Sequence, residues 1–404
     1  MVFIEHVQQP NAASNNGGSL IHHSPSPIDI AFVSNVVYPF VTGGAEKRIY
    51  EIGTRLAADG HNITIYGRQF WEGPQVMEYE GMTLHGVAPA TDLYTDDRRS
   101  ITEAIDFAVR LLEPLGRTVD NHDLIVASVF PYFPVLVSKL TTLRTSTPLV
   151  TTWHEVWGDY WEEYLGSLAP FGKLTEQFTA RTPQYPIAVS GVTADRLAES
   201  GPARDSITVI PNGIDTAQIQ HAELPETGYD VLYAGRLVEH KNVDLLLSAF
   251  DTVAGDYDAT LGIIGDGPEA DRLHQHAASL THTNRVEFLG FLDEYDDVLG
   301  QMRAAEVFAS PSIREGFGLT YAEAMAADCR VIAAEHPDSA ADEVLGDAGF
   351  LAAPTVDGIA SVLDRALSGE RPQFDPVTRA NQFDWDTVAG QAEEQYQRAI
   401  DDTW

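Results

Sequence analysis

The chain has 404 residues, too many for one ordinary hydrophobic core, so two domains of roughly 200 residues are expected. It is 44% hydrophobic and carries 60 acidic against 25 basic residues, a formal net charge of −35. That balance excludes nucleic acid or an anionic membrane held by bulk charge, and its spread along the whole chain fits adaptation to high salt, where self-repulsion is screened.

Residues 1–27 have neither the basic start nor the apolar core of a signal peptide. They are rich in Asn, Gln, Ser, Gly and His, and read as a disordered tail. The longest apolar run, Leu124 to Val137, is short and contains Pro131 and Pro134, so nothing spans a bilayer. One cysteine, Cys329, rules out a disulfide framework and fits a reducing, cytoplasmic interior. It follows an Ala-rich helix, the position of a packed thiol.

From Ile28 the pattern is strand (28–34), glycine loop (Thr42-Gly43-Gly44), helix to about Asp59, and strand (63–66), the opening of a parallel α/β layer. A hairpin at 76–87 follows, then a helix (about 99–119), strand (123–129), helix (132–144) and strand (148–152). Beyond the loop 153–159 come one long helix, a strand (186–190), a helix from Gly191 and a strand (207–210). Residues 211–228 lack periodicity and read as a hinge. A second layer begins at Tyr229, with a helix (about 242–254), strand (259–264), helix to about 280, strand (285–289) and helix (294–303). It continues through a strand at 307–310, a helix at 319–327 and a strand at 330–334, and the final helix, about 386–402, is expected to pack back on the first domain. The expected division is thus a tail (1–27), an N-terminal domain (28–215), a C-terminal domain (216–385) and a closing helix (386–404).

The most informative stretch is Glu315-Gly-Phe-Gly-Leu-Thr-Tyr-Ala-Glu323. A strand, a glycine turn and a helix start make an anion site: Gly316 and Gly318 let the backbone approach, and the free amides of the first turn point outward. Glu315 overhangs that start and Glu323 lies one turn inside, so a phosphate there sits between two acceptors for sugar hydroxyls. The plain alternative is a loop carboxylate favoured by the helix dipole and a solvated helix residue. The chain has only four lysines, at 47, 139, 173 and 241, so a cation near this site is informative. Arg236 and Lys241 follow the first strand of the second domain, where a guanidinium can fork onto phosphate and an ammonium add a point charge; the plain alternative is a surface arginine and an ordinary first-turn lysine. Gly265-Asp-Gly-Pro268 is either a plain turn or a nucleotide contact; Gly43-Gly44 is either a close backbone approach or helix capping. His154, after the strand at 148–152, is either structural or points to the site with Trp153 and Glu155. No set of His, Cys or carboxylates has metal-ligand spacing. Asp96-Asp97 and Asp296-Asp297 read as surface acid.

These motifs, with Val209-Ile-Pro-Asn-Gly-Ile-Asp215, resemble in order and spacing glycosyltransferase family 4, the retaining glycosyltransferases of GT-B fold. The resemblance runs from Ile28 to the last helix. It implies an α/β architecture of two Rossmann-like domains facing across a cleft. It implies that Arg236 and Lys241 hold a donor diphosphate with the amides of Gly318 and Leu319. Glu323 would bind the ribose, and Glu315, Gly316 and Phe317 the donor sugar. Gly43 and Gly44 would approach the diphosphate, His154 the sugar's outer hydroxyls, and residues near Phe291 the base. The segment Ala334-Glu-His-Pro-Asp-Ser339 departs from the family's glycine-rich loop.

The expected activity is a metal-independent, cofactor-free, retaining transfer of a hexose-type sugar from a nucleoside diphosphate donor to a glycan or lipid-linked acceptor. A weak peripheral membrane contact through the first domain accompanies a lipid acceptor, although no basic amphipathic patch supports it. The alternative is a nucleotide-sugar epimerase of the same fold, which needs no acceptor.

Overall fold

The structure, a computed structural model, describes residues 26–95 and 98–404. The expected tail, apart from residues 26 and 27, and the pair Asp96-Asp97 lie outside the described residues. The chain divides into two compact units. The first holds the described residues through Ala188, Arg196–Thr208 and Ala389–Trp404; the second holds Val189–Asp195 and Val209–Val388. These breaks fall at 208/209 and 388/389, a few residues from the divisions at 215/216 and 385/386 read from sequence. Among the described residues no helix is long and apolar enough to cross a membrane.

The first unit is built on strands β1 (Asp29–Val33), β2 (Asn62–Gln69), β3 (Val76–Tyr79), β4 (Met82–Pro89), β7 (Leu124–Ser128), β8 (Leu149–Trp153), β9 (Tyr185–Ala188) and β10 (Thr208–Val209), with β5 (Tyr94–Thr95) and β6 (Arg98–Arg99) forming a separate short ribbon. The sheet order is β10-β9-β8-β7-β1-β2-β4-β3, and only β3 is shown running antiparallel to its neighbour. Phe32 of β1 lies between Ile65 and Val126. β7 and β8 are buried at every residue, which is why they read as continuous apolar runs: helices cover both faces of a parallel sheet.

A buried ion pair ties this unit together. Arg68 on β2 donates from Nε to Glu103 Oε1 (2.6 Å), from Nη1 to Pro89 O (2.9 Å), and from Nη2 to Glu103 O (2.9 Å) and Asp106 Oδ2 (2.8 Å). Asn35, just after β1, donates to both Glu103 oxygens. One strand and one loop thus converge on a single carboxylate of the helix Ile101–Thr118, and the same guanidinium reaches the end of β4 at Pro89. The closing helix, Trp385–Ile400, supplies Tyr396 against Phe32 (6.3 Å, edge-on) and Glu393 to His61 (3.0 Å).

The second unit is a six-stranded parallel sheet: β11 (Val231–Ala234), β12 (Leu261–Ile264), β13 (Val286–Gly290), β14 (Val307–Ser310), β15 (Arg330–Ala334) and β16 (Phe350–Ala352). Its order is β13-β12-β11-β14-β15-β16, so the direction of winding reverses between β11 and β14. The helix Val243–Tyr257 follows β11 and buries Leu246, Leu247 and Phe250; the helix Leu319–Ala326 follows β14 and is buried from Tyr321 onward. Both units are therefore parallel α/β layers, as the sequence predicts.

Three stretches differ from the sequence reading. The single helix expected after Asp159 is two, Tyr160–Leu165 and Ala169–Ala180, because the backbone turns left-handed at Gly166 (φ 54°). The expected hinge, 211–228, contains the helix Thr216–His221, whose first turn Asp215 caps by accepting from Gln218 N (2.7 Å). Between Ala334 and Trp385, where no element was predicted, lie β16 and the helices Ala341–Leu345, Val356–Leu367 and Pro376–Ala380; Thr355 and Asp375 cap the last two. Two of the helices have only five residues; Val356–Leu367 has twelve and buries Ile359, Val362, Leu363 and Ala366 on one face.

Removing one partner of a buried ion pair leaves an uncompensated charge. Glu103→Ala is expected to lower unfolding free energy by about 3–5 kcal/mol, read as a shift of the urea midpoint. A double variant, Arg68→Met with Glu103→Leu, should regain most of that loss.

Candidate active site

The reversal between β11 and β14 sets two loops side by side at the carboxyl ends of the sheet, the place where open α/β sheets take ligands. One loop carries Arg236 and Lys241, the other Glu315 to Gly318. They are joined through backbone and side chain: Ile313 N donates to His240 O (3.0 Å) and Asn242 Nδ2 to Pro311 O (3.2 Å). Across this seam the Lys241 ammonium is ion-paired with the Glu315 carboxylate, both partly buried.

The surroundings are cationic. The His240 ring, between Lys241, Arg314 and Arg236, has its pKa pushed down to about 4, first by burial and then by these charges, with Glu315 opposing. Arg236 is exposed at the edge of the group. Beneath it, the phenols of Tyr233 and Tyr321 are held far above their ordinary range, mainly by burial and also by Glu315. Tyr233 donates to Arg236 O (3.2 Å) and Tyr321 to Ser310 O (3.0 Å).

Gly318 starts the helix Leu319–Ala326 in the left-handed region (φ 88°), and a Cβ there would lie 2.5 Å from the Tyr321 ring. Gly318, the residue at the cap position, has no side chain to bond the first-turn amides. Glu323 is 6% exposed, so it is not the solvated residue of the plain alternative, and its carboxylate accepts from the Tyr295 hydroxyl. Phe317 packs edge-on against Phe383 (5.4 Å) and is buried, which leaves its backbone to meet a ligand. Gly316 O accepts from Thr193 Oγ1 (3.4 Å). The departing segment 334–339 holds Glu315 by its backbone: Glu315 N donates to Asp338 O and Ala340 N to Glu315 O.

Next along the sheet, Gly235 N donates to Ile264 O (3.0 Å) and Gly265 N to Gly290 O (2.8 Å), so the strand ladder continues into the loops. At Gly265 a Cβ would lie 2.0 Å from Gly235 O, and only glycine allows that approach. Phe291 follows, 72% exposed. A second helix start in this unit is already capped from afar: Glu343 accepts from Gly191 N (2.6 Å) and Val192 N (2.7 Å). Cys329 is buried and its thiol pushed up to about 12 by burial, a packed group.

The remaining predicted residues belong to the first unit. Gly43 precedes the helix Gly44–Ala58 in extended conformation, with the Glu46 carboxylate folded over it. His154 borders a small hollow with Arg48, Ser128 and Tyr396. Burial, and then Arg48, push its pKa down to about 3; burial lowers Arg48 to about 10. Trp153 does not accompany it. That ring is fully buried and donates to Thr151 Oγ1 (3.1 Å). The structure thus assembles Arg236, Lys241, Glu315 and the 316–319 turn in one unit, and His154 with Arg48 in the other. Sequence reasoning missed Arg48, Tyr295 and Arg314. Arg48 follows the Gly43-Gly44 turn and Arg314 precedes Glu315, a signal in a chain with 25 basic residues; Tyr295 carries none. Among the described residues no three His, Cys, Asp or Glu side chains gather as a metal-holding group.

A ring kept neutral by the fold makes stability depend on pH. The unfolded chain takes up a proton below about 6.5 while folded His154 resists it, so stability is full above that value and falls as pH drops toward 3. Between pH 7 and 5 the wild type should lose up to about 1 kcal/mol per pH unit more than His154→Asn in urea unfolding. Parallel curves would show that the ring titrates freely; His240, present in both proteins, cancels.

Residues 215–382 match the family Glycosyl transferases group 1, and residues 42–218 match Glycosyltransferase Family 4. The glycogen synthase of Mycobacterium tuberculosis is 28% identical over 390 residues, covering 89% of this chain and 92% of that protein. The phosphatidyl-myo-inositol mannosyltransferase of Mycolicibacterium smegmatis is 33% identical over 194 residues, 45% of this chain and 49% of that one. Among solved structures, HepE of Anabaena in complex with UDP superposes with a TM-score of 0.68 at 20% identity, covering 92% of this chain and 100% of that one.

Proposed function

The chain belongs to the glycosyltransferases, with a family 4 first half and a group 1 second half, and from that premise we propose that it moves a hexose-type sugar from a nucleoside diphosphate to a glycan or lipid-linked acceptor, with retention and without a divalent ion. The observation that carries this reading is the Lys241–Glu315 ion pair at the mouth of the Gly316–Gly318 turn. One face of that pair is a phosphate-seeking cation beside an amide-rich helix start; the other is a carboxylate suited to sugar hydroxyls. The relatives add support: HepE was solved with UDP, and the phosphatidyl-myo-inositol mannosyltransferase and an α-monoglucosyldiacylglycerol synthase carry lipids in their names.

In the proposed reaction the diphosphate lies on Arg236, Lys241 and the amides of Gly318 and Leu319, with Gly265 allowing close backbone approach. These fixed positive groups stabilise the leaving diphosphate where another fold would use a cation. Glu323 exchanges its Tyr295 partner for ribose hydroxyls, and Phe291 offers its ring to the base. The bond from the sugar's anomeric carbon to the phosphate oxygen breaks while the acceptor oxygen bonds to the same face. The acceptor proton passes to the departing phosphate oxygen. Glu315, released from Lys241, holds and stabilises the sugar with no covalent bond of its own. Neutral His154 is assigned to hydrogen bonding with sugar hydroxyls, with Gly43 and Gly44 as a backbone approach.

Lys241→Ala should lower turnover by two or more orders of magnitude, and near-normal transfer by that variant would refute the phosphate role. Chelator should leave the rate unchanged; loss restored by Mg²⁺ would overturn metal independence. Tyr295→Phe removes the hydroxyl that competes for Glu323, so nucleoside diphosphate should bind several-fold tighter, about 1 kcal/mol by calorimetry. Weaker binding would instead make Tyr295 a ligand contact.

A further inference from the structure

The first unit contains a hollow between the start of the helix Ile101–Thr118, the segment 130–133, and the helices Tyr160–Leu165 and Ala169–Ala180. Its volume is about 470 Å³, counting solvent at the mouth. Ile101, Phe130, Phe133, Leu165 and Phe171 give it an aliphatic and aromatic wall. Four polar side chains on that wall, Ser100, Tyr132, Trp161 and Thr175, are engaged elsewhere. The Tyr132 hydroxyl (2.7 Å) and Trp161 Nε1 (3.2 Å) both donate to Glu176, a carboxylate 2% exposed. Ser100 Oγ accepts from Glu103 N (3.3 Å), and Thr175 Oγ1 donates to Phe171 O (2.9 Å).

Glu176 thus turns the polar ends of two aromatic rings inward and leaves their apolar faces outward. It also accepts from Trp157 N (2.9 Å) and Gly158 N (3.0 Å), which fixes the loop after β8. A sugar hydroxyl moved into such a hollow would lose water without gaining a partner, whereas a hydrocarbon chain loses nothing. Apolar surface continues beyond the mouth: Leu168, Phe171, Leu174 and Phe178 are all about half or more exposed on this acidic protein. Charge and size narrow the occupant. At −35, two copies repel each other, as does an anionic bilayer, and a stable dimer buries on the order of 1,200–2,000 Å², far more than a hollow of this size offers.

We propose that this hollow receives the hydrocarbon chain of a lipid-linked acceptor. Calling that chain an acceptor's rests on the transfer reading above; the hollow's affinity for hydrocarbon does not.

The test uses the full chain and octyl, decyl and dodecyl β-glucosides below their micellar concentrations, with glucose as control, by calorimetry. One-to-one binding is expected, tightening about threefold to fourfold per methylene, with no heat from glucose. Phe171→Asp at the mouth and Thr175→Trp on the wall should each weaken dodecyl glucoside at least tenfold, while Leu174→Asp, exposed outside the hollow, should change it less than twofold. Equal binding of glucose, indifference to Phe171→Asp and Thr175→Trp, or an equal effect of Leu174→Asp would overturn the proposal. So would sedimentation of the protein with phosphatidylcholine vesicles lost in both Phe171→Asp and Leu174→Asp, or self-association abolished by Phe171→Asp. UDP, ADP and GDP titrated in parallel separate the two readings. Binding of UDP, ADP or GDP without alkyl glucoside binding sinks the hollow alone, and alkyl glucoside binding with none of the three sinks the donor site alone.

Discussion

In the second unit a change of winding direction brings Lys241 to Glu315. Chains leaving β11 and β14 turn to opposite faces of the sheet, and the gap this opens is bordered by the first residues of each loop. Lys241 and Glu315 occupy that border because of strand order, and backbone bonds from Ile313 to His240 hold the register. Arg236 and Arg314 are near enough to act on the same His240 ring. A chain of net charge −35 repels anions from most of its surface, so the few cations matter by position. The start of the helix Leu319–Ala326 adds its amides to the same border.

Acidic residues do contrasting work in this molecule. Most are surface charge, but Glu103 and Glu176 are buried and organise the first unit. Glu103 joins two strands, a helix and the loop after β1 through Arg68 and Asn35. Glu176 gathers two aromatic side chains and two backbone amides. Each is satisfied on several sides, the condition under which a buried carboxylate is tolerated.

Much of this was readable from the chain. Parallel strands covered on both faces leave continuous apolar runs, so β1, β7, β8, β11, β12 and β14 were visible, and so were the glycine turns beyond β1, β12 and β14. The site residues that lie within one such turn, Glu315 to Glu323, could be placed by counting. What failed to show was pairing between distant segments. Arg48 beside His154, Tyr295 on Glu323, and Arg68 with Glu103 are set by packing of elements far apart in sequence, and no period records them. Trp153 was misplaced because successive strand residues face opposite ways and its ring belongs to the core. Two helices of 335–385 were hidden by brevity, since five residues carry little more than one turn of pattern, whereas the twelve-residue helix Val356–Leu367 had a readable apolar face in Ile359, Val362, Leu363 and Ala366.

The Glu343 carboxylate over Gly191 and Val192 has a consequence for how the protein sorts its own charges. Helix beginnings attract any carboxylate within reach, and this sequence has 60 of them. By tethering one of its own to the beginning at Gly191, the chain removes that location from competition. The beginning at Leu319 follows Gly318, which has no side chain to lay over it, and its amides share a border with the Lys241 ammonium.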